Sequence, residues 1–162
     1  MIRAALYMLA SIFLLSWQAE ASCSGTGCYC TVNATAVSFG TYNALTQQAV
    51  DSTGNIEVSC GSDTIGDSIS YLVSLSMGEN GKKTDRKMAS SRNTLLYNLY
   101  TDVTHTAIWA DGAGGTSVVS DGYTLSLLCC EIRNYTVYGR IAGGQNAAPG
   151  LYSDAIIVTV EW

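Results

Sequence analysis

The chain has 162 residues, six cysteines, one histidine, one proline and a formal net charge of −5. That length supplies one domain with its own core, and the acidic balance excludes non-specific binding to nucleic acid or anionic lipid. With His105 as its one histidine the chain offers no Ser–His–Asp set and no facial metal triad.

Residues 1–21 read as a secretion signal. Arg3 is the short positive region, Ala4–Trp17 is apolar, and Ala19-Glu20-Ala21 is a small-x-small cleavage site. Gln18 and Glu20 cut the apolar run below the about 20 residues of a bilayer span. Cleavage after Ala21 removes Arg3 and Glu20 together and leaves the charge unchanged. No later stretch is long and apolar enough to span, so no membrane insertion is expected once the signal is gone. Residues 22–29 then form a short leader holding Cys23 and Cys28, and 30–162 form the domain. All six cysteines lie in the exported part, where an even count reads as disulfides. Cys28-Tyr-Cys30 and the adjacent Cys129-Cys130 do not match Cys-x-x-Cys and have no histidine nearby, so neither a metal nor a cofactor is expected.

The domain opens on a strand over Cys30–Tyr42 whose period breaks. Cys30, Val32 and Ala34 share one parity and Val37 and Phe39 the other, which predicts a bulge or sheet-switching kink near Thr35-Ala36. Asp51-Ser-Thr-Gly54 resembles an aspartic-protease signature but carries an extra residue and lacks a second carboxylate, so it reads as a turn. Asn55–Cys60 puts Ile56, Val58 and Cys60 on one face. Ser68–Met77 alternates most clearly, with Ile69, Tyr71, Val73, Leu75 and Met77 opposite serines. Lys82, Lys83, Arg86, Lys87 and Arg92 fall within eleven positions and read as a solvated loop, with a docking patch for an acidic partner or polysaccharide as the other reading.

Thr94–Thr101 reads as a central strand, and Thr104–Ala110, Thr116–Ser120 and Tyr123–Leu128 as shorter ones. Gly112–Gly115 and Gly143-Gly144 read as turns, since no helix follows to complete a phosphate site. Arg133–Ile141 places Tyr135, Val137 and Ile141 on one side, and Leu151–Trp162 places Ile156, Val158, Val160 and Trp162 together. Short strands punctuated by turn residues predict an all-β sandwich. A terminal strand with nothing after it to pair with predicts a sandwich lacking one strand.

Several segments together resemble the spore coat protein U (SCPU) domain. They are Cys30-Thr-Val, Val37-Ser-Phe-Gly-Thr-Tyr42, Asp51–Cys60, Tyr71–Gly78, Leu96–Asp102, Trp109, Tyr138–Gln145 and Ala148–Val160, in the family's order across nearly the whole domain. The resemblance implies an immunoglobulin-like fold related to subunits of archaic chaperone–usher pili, with a hydrophobic groove where a strand is missing. It implies as partners a periplasmic chaperone that fills the groove first, an outer-membrane usher, and sister subunits whose N-terminal extension replaces the chaperone. It also implies a Cys30–Cys60 bridge between the first two strands.

The expectation is therefore a non-enzymatic structural subunit of a pilus or surface coat, exported through the periplasm to the cell surface and supporting adhesion or biofilm formation. Val32, Val37, Phe39, Ile156, Val158 and Val160 are expected to line the acceptor groove. Residues 22–29 span at most about 28 Å and hold almost no alternating large apolar side chains, so the chain is expected to accept a strand rather than donate one. Cys23 and Cys28 are expected to join Cys129 and Cys130, pinning the leader. The alternative is a self-contained secreted coat or carbohydrate-binding module outside any fibre.

Overall fold

The computed structural model describes residues 21–126 and 129–162, so the secretion-signal reading of residues 1–20 and the strand reading of Leu127-Leu128 lie outside the described residues. The described chain is an immunoglobulin-like β-sandwich. Its strands are β1 (Ser22–Cys23), β2 (Tyr29–Thr35), β3 (Val50–Ser62), β4 (Ser68–Leu75), β5 (Arg86–Ser90), β6 (Asn93–Tyr100), β7 (Val119–Thr124), β8 (Cys129–Ile141) and β9 (Val158–Glu161). One sheet runs β2-β3-β8-β6-β5; in the other, β4 pairs with β7 and with both β1 and β9.

Alternation decides which side chains meet between the sheets. Ile56, Val58 and Cys60 from β3 and Ile69, Tyr71, Val73 and Leu75 from β4 are all buried, as a period of two requires when one face is covered. Met77, two residues past the end of β4, departs from the pattern and is exposed. Leu95, Tyr97 and Leu99 of β6 and Val137 and Ile141 of β8 complete the core. Trp109 is fully buried, its indole Nε1 donating to Val73 O at 2.9 Å.

β2 ends at Thr35, where the parity changes. Beyond it, Ala36–Asn43 belong to no strand, and Val37 and Phe39 lie over β3 and β8. Two glycines permit that crossing. A Cβ at Gly54 would fall 2.5 Å from Thr35 O, and one at Gly139 would fall 2.7 Å from Val37.

Several elements differ from the sequence reading. Asp51–Gly54 is strand, not turn, and Asp51 accepts two 2.6 Å hydrogen bonds from Arg140 across the β3–β8 ladder. Thr104–Ala110 is a loop closed by the Asp102 carboxylate, which accepts from Thr106 N and Ala107 N. Its hydrogen bonds hold the Asp102 carboxyl well below the usual carboxylate range. The basic segment supplies a strand, β5, and the leader supplies β1.

The leader's cysteines do not reach Cys129 and Cys130. The bridges are Cys23–Cys28, Cys30–Cys60 and Cys129–Cys130. The reason is placement: Cys23 pairs with Ile69 on the edge of β4, whereas Cys129 and Cys130 face Ser62 and Gly61 in the other sheet. The leader is fastened instead by its own bridge and by β1, with Ser24 N donating to Ser68 O at 3.0 Å. Cys30–Cys60 closes a loop with a sequence separation of 30, a constraint worth about 3–4 kcal/mol in the chain-entropy picture.

Candidate functional site: an uncovered seam between the sheets

The sandwich is closed along one flank and open along another. On the closed flank the Tyr71 and Tyr135 hydroxyls meet at 2.6 Å, Tyr135 donates to Asp121 Oδ2 at 2.5 Å, and Tyr123 donates to the carbonyls of Cys60 and Glu131. Burial pushes the Tyr123 hydroxyl up to about 12, so these phenols stay neutral donors at any physiological pH. The three rings pack edge to face, joining the sheets at a fixed spacing.

The open flank is a cleft of about 1320 Å³. That exceeds the about 300–1,000 Å³ of typical small-molecule sites. Its two lips are stretches of backbone: Ala34–Leu45 on one side and Asn146–Asp154 with Ile156 and Val158 on the other. Neither lip forms a continuous strand. The second is tied to the sandwich on its outer side, through reciprocal Ala89–Ser153 backbone bonds and Ser76 N donating to Ile157 O at 2.9 Å. The lips thus flank an apolar trough with backbone that lies largely outside the strands.

The floor comes from both sheets. Leu75, Met88, Leu95, Leu99, Val137 and Ile141 line it, each at most 9 % exposed. At the rim Leu45 and Leu151 are each 94 % exposed. The way to the floor therefore runs between the lips. One polar pair marks the trough: Tyr97 donates to Asp154 Oδ2 at 2.8 Å while Asp154 Oδ1 accepts from Glu79 N at 2.9 Å. Burial and this carboxylate raise the Tyr97 hydroxyl pKa strongly. Gln145 fixes the corner leading into the second lip by pairing with both N and O of Leu96 at 2.8 Å.

The six expected groove residues divide. Val37, Phe39, Ile156 and Val158 line the cleft; Val32 and Val160 do not. Val32 pairs with Val58 inside the β2–β3 ladder and is 39 % exposed, and Val160 pairs with Val73 of β4. Both lie in strands already paired, on segments the trough does not reach. The floor residues went unassigned in the sequence because alternation marks a core-facing side chain without saying which part of the core borders a cleft.

The basic cluster does not survive as one patch. Arg86 has no exposure: its guanidinium donates to Ser76 O, Asn98 Oδ1 and Trp109 O at 2.6–3.0 Å. Lys83 is paired with Asp111. Lys82, Lys87 and Arg92 remain at least partly exposed, and of these only Lys87 lies in β5. His105 is inserted edge-on between Tyr100 and Tyr138, with Nε2 3.9 Å from Asp51. Among the described residues no group of three or more His, Cys, Asp or Glu is placed to hold a metal ion, and no helix is long and apolar enough to cross a membrane.

The fold has a counterpart among solved structures. One chain of the CsuC–CsuE chaperone–tip adhesion subunit pre-assembly complex, from archaic chaperone–usher Csu pili of Acinetobacter baumannii, matches with a TM-score of 0.52 and 25% identity. The match covers 83% of this chain but only 40% of that one. No curated protein sequence matches. The Spore Coat Protein U domain matches over residues 15–159. A sandwich with one seam uncovered, the likeness to a pilus-assembly complex and a family match over most of the length lead to one assignment: the chain belongs to the Spore Coat Protein U domain family.

Proposed function

We propose that the chain is a non-enzymatic structural subunit of an archaic chaperone–usher pilus or a related surface coat, assembled by donor-strand complementation. The observation that carries this reading is the cleft, whose lips are backbone largely outside the strands and whose floor is core. A strand laid between Ala36–Asn43 and Asp154–Val158 satisfies backbone groups on both sides and seats alternate side chains on the floor. Support also comes from the matched structure, itself a complex of a chaperone and a pilus subunit. On this reading residues 1–21 direct export, 22–29 are a leader, and 30–162 are the acceptor domain. A periplasmic chaperone fills the cleft in transit, an outer-membrane usher exchanges it for a sister subunit's N-terminal segment, and the product serves attachment or biofilm formation at the cell surface.

Co-expression tests the proposal. The exported chain is expected to be recovered as a soluble one-to-one complex with its chaperone and to aggregate or fall to low yield without it. Replacing Phe39 with Asp places a charge on a cleft-lining side chain and is expected to abolish capture. A chain that accumulates alone as a soluble, cooperatively melting monomer and ignores the chaperone is a self-contained module instead.

A further inference from the structure

We propose that the Cys129–Cys130 bridge is a thiol-exchange site, at which an external thiolate forms a mixed disulfide with this domain. The inference is independent of the cleft. Of the three bridges, this is the one whose two cysteines are both exposed; Cys60 is fully buried, and Cys23, Cys28 and Cys30 are half-buried. The described cysteines are all paired, so the domain cannot begin exchange by itself and the attacking thiol must come from outside.

Two features equip the pair for attack. The Tyr29 hydroxyl lies 3.2 Å from Cys130 Sγ and 3.6 Å from Cys129 Sγ, a donor poised over both sulfurs. Gly61 makes room for it, since a Cβ there would fall 2.9 Å from the Tyr29 hydroxyl oxygen and 3.1 Å from Cys129 O. Cys129 also has φ 91°, a conformation that non-glycine residues rarely hold without a constraint; opening the ring removes that constraint.

The step is a substitution at sulfur. A thiolate attacks Cys129 Sγ, a new S–S bond forms, and the Cys129–Cys130 bond breaks. Its electron pair leaves on Cys130 Sγ, which then accepts the Tyr29 O–H hydrogen bond as a thiolate. A second thiolate attacking the mixed disulfide releases the oxidised thiol dimer and leaves Cys129 and Cys130 reduced. Each stage conserves atoms and electrons, with the external thiol as reductant. A thiol-bearing polypeptide at this end of the sandwich would become covalently attached by the first stage alone.

The test uses reduced glutathione as probe and the exported chain, with its chaperone if that is the form recovered. Acid quenching and non-reducing peptide mapping follow the reaction. The expected result is one glutathione within the Cys129–Cys130 pair while Cys23–Cys28 and Cys30–Cys60 stay closed. Tyr29→Phe is expected to slow adduct formation about tenfold, the scale of one hydrogen bond to a charged group. Gly61→Ala, which keeps the phenol but displaces it, is expected to slow the reaction similarly. First reaction at Cys23–Cys28, no adduct before global unfolding, or wild-type rates in both variants would overturn the proposal.

Discussion

A strand that fills the cleft is expected to raise the unfolding temperature by about 10–20 °C or more. The size follows from what the trough offers. Seating four or five apolar side chains on the floor is worth about 1.5–3 kcal/mol each, or roughly 6–15 kcal/mol in all, before the cost of ordering the guest. A net gain of about 5 kcal/mol corresponds to about 10–20 °C in a domain of this size. It also rivals the about 5–15 kcal/mol that holds a whole domain together. The measurement is a thermal melt with and without a synthetic N-terminal segment from a sister subunit. Register matters as much as composition, because a shift of one residue turns every apolar side chain away from the floor. A peptide with its alternation displaced by one position is therefore expected to leave the melt unchanged. An equal response to both peptides would mean that the trough is not read as a strand.

Replacing Arg86 with Ala is expected to cost about 3–5 kcal/mol, because it leaves three buried acceptors without their donor at about 1–3 kcal/mol each. Arg86 lies at the start of β5 and holds three otherwise separate parts of the chain: Ser76 beyond β4, Asn98 in β6 and Trp109 in its loop. Two of its partners are backbone carbonyls, which no compensating substitution can remove. Met at this position fills volume but still strands those oxygens, so it is expected to recover only part of the loss. Urea unfolding of the complemented subunit checks this. A change within the about 0.5 kcal/mol typical of surface positions would return Arg86 to a solvated loop.

Arg86 also shows where sequence reading stops. In a run with Lys82, Lys83 and Lys87, an arginine is indistinguishable from a surface charge, because the carbonyls that receive it come from elements far along the chain. By contrast Ile56, Val58 and Cys60, and Ile69 through Leu75, declare their inward face by alternation alone. The parity change at Thr35-Ala36 marked where β2 leaves its sheet. Trp109 was assigned to a strand, yet its place is set by loop hydrogen bonds, including its N–H to Leu99 O at 2.9 Å.

The seam itself was half legible. Leu151–Trp162 alternates along its whole length, but β9 covers only Val158–Glu161. The floor was not legible, since Leu99 and Val137 look like any core residue until the cleft that they line is seen. The cysteine pairing was beyond reach for a similar reason. Nothing in the spacing of Cys23, Cys28, Cys129 and Cys130 reveals that Cys23 sits in one sheet and Cys129 and Cys130 in the other.

Amide hydrogen exchange across the two lips tests the central claim most directly. The account predicts that the amides of residues 36–42 and of Ile156 exchange rapidly in the bare subunit, whereas Ile157, whose N–H already donates to Ser76 Oγ, does not. The rapidly exchanging amides should become protected together when the chaperone or a sister subunit's N-terminal segment is added, with β3 and β8 protected in both states. Slow exchange at both lips in the bare chain, or no change on adding either partner, would contradict it.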